Sequence, residues 1–486
     1  MLLIVPLAVA VGQESTTDQE SNGEESTEAP AEGGTTGADF GVGLQSIQLD
    51  GETWTRLHFF PTVPIGRLRL ALDMELFFNN EGEVSAKGWD FSSRDATLDS
   101  LSRKIYFVAW NRKQNVTDGD DYFYARLGAL DGVTLGDGIV MNNYRNTLDY
   151  PVIKQTGLDI AVGNITDMNI GFEGMVGDIT DFSRGGGLVG GRLFFSPLGA
   201  TETPILKNLQ FGVFGAYDIN QYGGLRDSDG DDYPDGVDRF PNDANYQFDT
   251  DGDGVPDSLD PDRDGDNVPE FLDLTDSQEA DLESILGPDN VAFDFEQESL
   301  FNLEGKQDSF GMVGADVRLP ILPFLSLYAQ TAMSVDPAQS DDEEQARGFG
   351  VSAPGIFLDF LPILSADIGY RYRQGEFRFG YFGENYGGER AVVQEDGSVL
   401  TKDSQLTAGT LNGVYGSLSA NLYIINVYGS YEYLIPLDGD VEDSISLEAR
   451  AGVNRERLAQ IPVLSNYLAG FSAYYLYENK IRLDFA

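Results

Sequence analysis

The sequence predicts an all-β protein: an antiparallel transmembrane β-barrel of about 16 strands (roughly 14 to 20) that carries one acidic loop insertion. Three observations lead to this prediction. Apolar and polar residues alternate along many segments, tight turns alternate with long polar connections, and one short stretch is far more acidic than its surroundings.

Composition excludes several classes of function. The 486 residues contain no cysteine and one histidine, and 80 Asp and Glu against 31 Lys and Arg give a net charge of -49. Such a chain repels the phosphate backbone of nucleic acids. Without cysteine it has no disulfide, no thiolate metal site and no Cys nucleophile. The 57 Gly, 30 Phe and 23 Tyr favour β architecture.

The two N-terminal segments are predicted to lie outside the folded body. Residues 1–12 form a short apolar run that resembles a signal peptide, with a buried strand as the alternative. Residues 13–39 are acidic, lack basic residues and are otherwise mainly Ser, Thr, Gly, Ala and Pro, so they predict a disordered linker. The barrel then comprises residues 40–224 and 288–486, with the insertion at 225–287.

Hydrophobicity repeats every two residues in the body. The same alternation occupies residues 67–76, 168–176, 209–217, 364–373, 414–422, 427–435 and 444–454. In 364–373, for example, one face holds Leu364, Ala366, Ile368, Tyr370 and Tyr372. Successive strand side chains point to opposite faces, so each segment has one apolar and one polar face.

Alternation fits both a soluble sandwich with its apolar face inward and a barrel with that face toward lipid. Segment length favours the barrel, because about nine to eleven residues suit a tilted membrane-crossing strand. The polar faces are also densely charged. The Arg residues predicted to face the lumen are Arg67, Arg69, Arg192, Arg318, Arg371, Arg373, Arg378 and Arg450. The acids on the same wall are Asp73, Glu75, Asp159, Asp316, Asp367, Glu432 and Glu448.

Aromatic residues gather near the ends of these segments, where membrane barrels carry interfacial girdles. The predicted girdle residues are Trp54, Phe59 and Phe60; Tyr106, Phe107 and Trp110; Phe377, Phe379 and Tyr381; and Tyr474, Tyr475 and Tyr477. The body has no run of 18 apolar residues, which excludes a helical membrane protein.

Connections differ in length. Short, often Pro-bearing ones lie at 62–66, 319–323, 360–363 and 423–425, and long polar ones at 79–102, 335–346 and 383–408. Outer-membrane barrels have short periplasmic turns and long outer loops. The pair 374–375 reads as a tight turn at the end expected to carry long loops. A barrel of this size has an aqueous lumen unless something plugs it.

A threefold acidic repeat lies within the insertion. Residues 227–273 hold 17 acidic residues against Arg239 and Arg263. Each repeat places acids at positions 1, 3, 5, 9 and 12, with Gly at position 4 and Pro at position 8. The predicted ligands are Asp227, Asp229, Asp231, Asp235 and Asp238; Asp249, Asp251, Asp253, Asp257 and Asp260; and Asp262, Asp264, Asp266, Glu270 and Asp273.

This spacing suits Ca²⁺, a hard cation that takes six to eight oxygen ligands. Alternate carboxylates of a tight loop point toward one centre, and glycine lets the loop turn. A disordered acidic linker, the alternative, has no reason to keep Gly and Pro at fixed positions three times. The repeats resemble thrombospondin type 3 repeats, which implies calcium as the bound ion. Position 6 is Asp232 in the first repeat, where the next two have Gly254 and Asn267.

The strands and connections resemble porin-like outer-membrane β-barrels of Gram-negative bacteria. The resemblance implies location in the bacterial outer membrane and contact with its lipid, with small solutes passing through the lumen. A calcium-dependent surface scaffold or adhesin anchored by the barrel is the alternative, and a soluble secreted calcium-binding β protein is a third. The lone His58 has no evident nucleophile, so no enzymatic activity is predicted.

Overall fold

The computed structural model describes residues 39–49, 52–79, 84–85, 89, 92–94, 97, 100, 104–111, 122–148, 154–166, 168–260, 300–335, 348–360, 363–394, 397–422, 425–437, 442–453 and 472–478. The signal-like segment, nearly all of the acidic linker and the third acidic repeat fall outside these residues. Those predictions remain untested.

The described residues form 23 strands. They are β1 (Asp39–Leu49), β2 (Glu52–Ile65), β3 (Leu68–Leu72), β4 (Met74–Asn79), β5 (Val84–Ser85), β6 (Ile105–Trp110), β7 (Tyr122–Gly128), β8 (Asp131–Val133), β9 (Tyr144–Arg145), β10 (Gly157–Gly163), β11 (Gly171–Val176), β12 (Leu188–Phe195), β13 (Gln210–Asp218), β14 (Phe310–Leu322), β15 (Leu325–Val335), β16 (Phe349–Phe360), β17 (Leu364–Gln374), β18 (Ala391–Val393), β19 (Val399–Thr401), β20 (Leu411–Leu422), β21 (Ile425–Pro436), β22 (Ser444–Val453) and β23 (Ser472–Glu478).

Helical structure is confined to short turns. Three are 3₁₀ turns, Ile179–Arg184, Leu206–Asn208 and Gln221–Gly224, and one is the α-helical turn α1 (Tyr386–Glu389). Among the described residues, no helix combines the length and apolar character needed to cross a membrane.

One large antiparallel sheet organises the fold, which confirms the all-β prediction. It contains 19 strands, while β8–β9 and β18–β19 form two small separate sheets. Most strands of the large sheet pair with the next strand of that sheet along the chain, for example β10 with β11 and β21 with β22. β3 and β4 follow one another beside β2, on either side of Asp73. Within the described residues, no pairing joins β23 to β1.

The connections lie at two ends of the sheet, but length separates these ends only in part, because the 14-residue connection 196–209 lies at the same end as the two-residue turn 66–67. At the short-turn end, β2 passes to β3 through residues 66–67 and β14 passes to β15 through residues 323–324. Most of the predicted short connections 62–66 and 319–323 is strand, since β2 extends to Ile65 and β14 to Leu322. Residues 80–104, 129–156, 219–309, 336–348 and 375–410 join strands at the opposite, long-connection end. The tight-turn interpretation of 374–375 is wrong. Gly375, with a φ of 67°, instead begins the 36-residue connection 375–410 between β17 and β20.

The faces of the sheet are inverted relative to those of a soluble protein. Along β15 the buried side chains include Ser326, Gln330 and Ser334, while Leu327 and Met333 are 38 % exposed. In β13, Gln210 is buried and Val213 is 58 % exposed. Water disfavours such an exposed apolar face, whereas lipid accommodates it. The sheet therefore has the face pattern of a membrane barrel wall.

Placing a charge on the exposed apolar face tests this assignment. We expect Val213→Arg to lower the free energy of unfolding in phospholipid vesicles by about 2–4 kcal/mol, because the guanidinium must enter hydrocarbon. Denaturant titration followed by tryptophan fluorescence measures the change. Thr203→Arg, at an exposed position outside the strands, is the matched control. Equal stability of the two variants would contradict a lipid-facing Val213.

Candidate functional site

Two connections from the long-connection end fold back against the inner face of the sheet. Inner connection 1 comprises residues 129–148, between β7 and β10, and inner connection 2 comprises residues 375–410, between β17 and β20. Backbone hydrogen bonds join them: the amide of Gly380 donates to the carbonyl of Ile139 at 2.9 Å, and that of Phe382 donates to Val140 at 3.1 Å. The pairing satisfies backbone groups that burial would otherwise leave without partners.

The two inner connections form the main hydrophobic core of the described residues. Ile139, Val140, Met141, Tyr381 and Phe382 are each fully buried. Wall residues complete the same cluster, including Met175, Phe214, Phe310 and Met312. The inner connections therefore form a buried apolar layer against the inner face of the sheet. The outer face of the same sheet carries the exposed apolar side chains.

The prediction that Phe377, Phe379 and Tyr381 form an interfacial girdle is wrong. Phe377 and Tyr381 are fully buried, and Phe379 packs against the same core. The ring of Tyr381 lies 4.2 Å from that of Phe310 on β14, measured between centroids. Phe377, Phe379 and Tyr381 occupy every second position, as aromatic residues at the end of a strand would. The chain instead leaves the wall at Gly375, and these rings pack in the interior.

Polar wall residues hold inner connection 1 in place. The guanidinium of Arg318 on β14 donates to Asp137 at 2.7 Å, and the amide of Gln330 on β15 donates to the Asp137 carbonyl at 3.0 Å. Burial raises the pKa of Asp137 from 3.8 to about 6, against the opposing effect of Arg318. Because the pKa of Asp137 is higher in the folded state, the folded state favours the neutral carboxyl group. Protonation of Asp137 therefore stabilises the packing of inner connection 1 fully below pH 3.8, and that contribution is lost as the pH rises through about 6.

Inner connection 2 needs a small residue in the wall. A Cβ added to Gly350 on β16 would lie 2.1 Å from Cε1 of Phe377, which is far inside van der Waals contact. Glycine at this position therefore leaves the space that the buried ring fills.

A buried arginine anchors inner connection 2 at the rim. Arg390 follows α1, and its guanidinium donates to Asp181 at 2.9 Å and approaches Asp218 at 3.5 Å. The hydroxyl of Tyr386 donates to Asp218 at 2.8 Å. The pKa of Arg390 is raised because Asp218 and Asp181 outweigh the effect of burial. This ion-pair cluster links inner connection 2 to the connection between β11 and β12 and to the end of strand β13.

A cavity of about 330 Å³ remains between inner connection 2 and strands β17 and β20–β22. Its lining is polar, and its charged residues are Arg371, Arg373, Arg378, Glu384, Glu389, Lys402, Glu432, Glu448 and Arg450. Five of these residues lie on wall strands and were predicted to face the lumen. All five line the cavity: Arg371, Arg373, Glu432, Glu448 and Arg450. Alternation placed them because they lie on regular strands. Glu384, Glu389 and Lys402 were not predicted, since they lie on an irregular connection.

Further along the wall, Arg192 and Asp316 form a buried bidentate pair at 2.7 and 2.8 Å. Both were predicted to face the lumen. Such a fork-to-carboxylate pair satisfies the hydrogen-bonding groups of both side chains in a buried setting.

The acidic insertion joins β13 and β14 at the long-connection end, and its first two repeats have matching geometry. In the first, Asp227 accepts from the amides of Gly230 at 2.7 Å and Asp232 at 3.1 Å. In the second, Asp249 accepts from Gly252 at 2.9 Å and Gly254 at 3.1 Å. Two separate segments therefore fold into the same loop, as the repeated motif predicted.

Carboxylates at positions 1, 3 and 5 converge in both repeats. One oxygen from each of Asp227, Asp229 and Asp231 lies within 4.8 Å of the other two, and the same holds for Asp249, Asp251 and Asp253. These six residues are the predicted ligands that the structure brings together most closely.

Position 9 has a different local role. The carboxylate of Asp235 accepts from the amide and the hydroxyl of Ser228, and that of Asp257 accepts in the same way from Thr250. Position 9 thus braces the start of each loop. At position 12, Asp238 is buried and accepts from the amide of Phe240 at 2.8 Å. The ligands predicted at 262–273 lie outside the described residues.

Asp229 distinguishes the first repeat. Both its carboxylate oxygens are withdrawn from solvent, and in the described part of the chain neither has a hydrogen-bond partner. Desolvation raises the pKa of Asp229, and the carboxylates of Asp231 and Asp227 raise it further. A cation at this centre would relieve all three effects at once.

Asp232 occupies position 6 with a φ of 72°, close to the 90° of Gly254 in the second repeat. An aspartate tolerates this left-handed conformation better than most residues do. The first loop therefore keeps the shape of the second despite the different residue.

The first repeat also contacts inner connection 2. A Cβ at Gly236 would lie 2.9 Å from Cγ2 of Val393 on β18, so the loop packs closely against the small β18–β19 sheet. The amide of Leu303, on the returning chain, donates to the carbonyl of Asp232 at 2.7 Å. The acidic loop and the lumen-filling connection are neighbours at one end of the sheet.

No family model and no curated protein matches this chain. Solved structures similar to it include Wzi of Escherichia coli, described as a carbohydrate-binding outer-membrane β-barrel involved in group 1 capsule assembly. It shows 10 % identity and a TM-score of 0.31, covering 91 % of this chain and 80 % of that one. OccK11 of Pseudomonas aeruginosa has 9 % identity and a TM-score of 0.31, covering 91 % and 88 %. A mutant of the Rh. blastica porin has 10 % identity and a TM-score of 0.25, covering 85 % and 96 %.

The anchor at Arg390 can be tested against a neighbouring arginine. Arg390→Gln leaves Asp181 and Asp218 buried beside a neutral group, so we expect inner connection 2 to lose about 3–5 kcal/mol of local stability. Cleavage of that connection by proteinase K, located by mass spectrometry, should accelerate at least about tenfold. The control is Arg184→Gln, since Arg184 also pairs with Asp181 but its side chain is 55 % exposed rather than 6 %. The same cleavage rate in both variants would rule out the anchor.

Proposed function

We propose that the protein is a closed β-barrel of the bacterial outer membrane that admits small solutes through a narrow charged passage. The observation that carries this proposal is the inverted sheet, apolar outside and charged inside, with a polar cavity left beside the inner connections. The inner connections make the passage much narrower than the open lumen of a barrel of this strand number. Catalysis has no part in this function.

The long-connection end is proposed to face the outside of the cell, because outer-membrane barrels place their long loops there. The acidic insertion, inner connection 1 and inner connection 2 all leave the wall at this end. The short-turn end then faces the periplasm.

Calcium is proposed as the ion of the acidic repeats. Hard oxygen ligands converge at positions 1, 3 and 5, and the buried carboxylate of Asp229 has no partner within the described residues. Asp227, Asp229 and Asp231 would hold one ion and Asp249, Asp251 and Asp253 another. Bound calcium would supply the positive charge that lets these carboxylates stay together.

A calcium-dependent surface scaffold or adhesin remains the second proposal. The observation that favours it is the extent of occlusion, since a barrel filled by two packed connections is also suited to act as an anchor. In that case the acidic insertion is the working part. Deleting residues 225–287 should then abolish cell attachment without changing permeability.

Calcium binding should depend on Asp229 and not on acidity in general. We expect the native protein to bind Ca²⁺ at about 10⁻⁴ to 10⁻³ M in isothermal titration calorimetry. Asp229→Asn should remove one ion from the measured stoichiometry, because it neutralises the ligand whose carboxylate oxygens have no hydrogen-bond partner within the described residues. Glu202→Gln removes the same charge at an exposed position outside the insertion and should leave binding unchanged. Equal titration curves for the two variants would identify the insertion as a non-specific acidic segment.

Widening the passage should increase conductance. The native protein should give small, steady channels in planar bilayers. Gly350→Ala should enlarge them, because the added Cβ cannot coexist with the ring of Phe377. Gly452→Ala, also in the wall, adds a methyl group where nothing lies within 4 Å and is the control. If correctly folded native protein and Gly350→Ala both fail to conduct, the anchor proposal replaces the channel.

A further inference from the structure

The charges that line the cavity are unevenly compensated. Every cavity carboxylate has a cation beside it. The pairs are Glu389 with Lys402 at 2.7 Å, Glu448 with Arg450 at 2.7 Å, Glu432 with Arg371, and Glu384 with Arg145 at 2.9 Å and with Arg450. Paired charges cancel over short distances, so these carboxylates present little negative potential to a solute.

Arg373 is different. Its Nη1 donates only to backbone carbonyls, those of Phe377 at 2.9 Å and Thr407 at 3.3 Å, and among the described residues no carboxylate forms an ion pair with it. Arg378 lines the same cavity. A carbonyl dipole does not cancel a full guanidinium charge, so the positive charge of Arg373 remains available in the passage.

Aromatic rings hold a neighbouring cation in position. The guanidinium of Arg371 lies 3.5 Å from the ring centroid of Tyr415 and 4.6 Å from that of Phe379. That of Arg450 lies 4.1 Å from the ring of Tyr428. These contacts fix the paired arginines against the wall and leave the centre of the cavity to a solute.

We propose that this cavity is a binding site for small oxyanions, solutes that carry a carboxylate or a phosphate group, and that Arg373 is the residue that selects them, with the neighbouring cation Arg378 adding to the positive potential around it. The inference rests on the proposed channel function and names its substrate class. The planar guanidinium fork matches the paired oxygens of both groups. A volume of about 330 Å³ admits a solute of small-molecule size.

This selectivity runs against the charge of the whole chain. A net charge of -49, with acidic repeats at the long-connection end, attracts cations to the outer surface. The local field inside a narrow low-dielectric passage nevertheless decides which ion crosses it. Anion preference in so acidic a protein is therefore a specific consequence of the cavity.

Reversal potentials in planar bilayers under a potassium chloride gradient test the proposal. The native channel should prefer chloride to potassium, and millimolar acetate or inorganic phosphate should reduce its chloride current. Arg373→Gln/Arg378→Gln should lower the chloride-to-potassium permeability ratio at least about twofold and abolish the block. Arg373→Lys keeps the charge and should retain the ratio. Lys207→Gln removes an exposed cation near the short-turn end and should change neither property.

The possible outcomes are separable. A cation-selective native channel, or a permeability ratio and a block that survive the double variant, would overturn the anion site while leaving the channel intact. Absence of any conductance would instead overturn the channel itself. Recordings with chelator and with millimolar Ca²⁺ must both show the difference between native protein and double variant, because the acidic loop is common to the two.

Discussion

The contact between the two inner connections determines what this protein can do. Backbone hydrogen bonds from Gly380 and Phe382 to Ile139 and Val140 turn two long loops into one buried layer. A sheet with a charged inner face would otherwise surround water. Because the layer is apolar at its centre and ion-paired at its edges, it covers part of the inner face and leaves a polar cavity beside β17 and β20–β22, which is the passage proposed for solutes. The small width of the proposed passage, the charges that line it and its proposed selectivity all follow from the position of this layer.

The inner layer is held from opposite sides, which shows that the sheet curves around it. Arg318 on β14 contacts Asp137 of inner connection 1, while Arg450 on β22 contacts Glu384 of inner connection 2. Strands this far apart in the pairing order reach the same layer only if the sheet bends. Arg390 adds a third attachment at the rim. The acidic first repeat packs on the β18–β19 sheet next to this rim, so the proposed calcium loop contacts inner connection 2.

The sequence was informative wherever local rules decide structure. Alternation located β17, β20, β21 and β22 to within a few residues, whereas the turns predicted around Pro64 and Pro320 lie two to three residues further along the chain. The fixed spacing of Asp227, Asp229 and Asp231 predicted a convergence that the fold confirms. Alternation gave a wrong prediction at 375–410, because Phe377, Phe379 and Tyr381 keep a period of two although they lie outside any wall strand. Whether an aromatic residue faces lipid or the lumen depends on long-range packing, and alternation records only which residues share a face. Inner connection 1 carried no signal that set it apart from the strands.

Amide hydrogen exchange in lipid nanodiscs tests the central claim most directly. If the inner connections are packed together within the barrel, the amides of Gly380, Phe382 and Asn142, each bonded across the two connections, should exchange as slowly as those of wall strands β14 and β15. Slow exchange at these three positions is the result expected of an occluded lumen. Exchange as fast as that of the exposed residues Ala200, Glu202 and Thr203 would show that the connections lie in solvent and that the lumen is open.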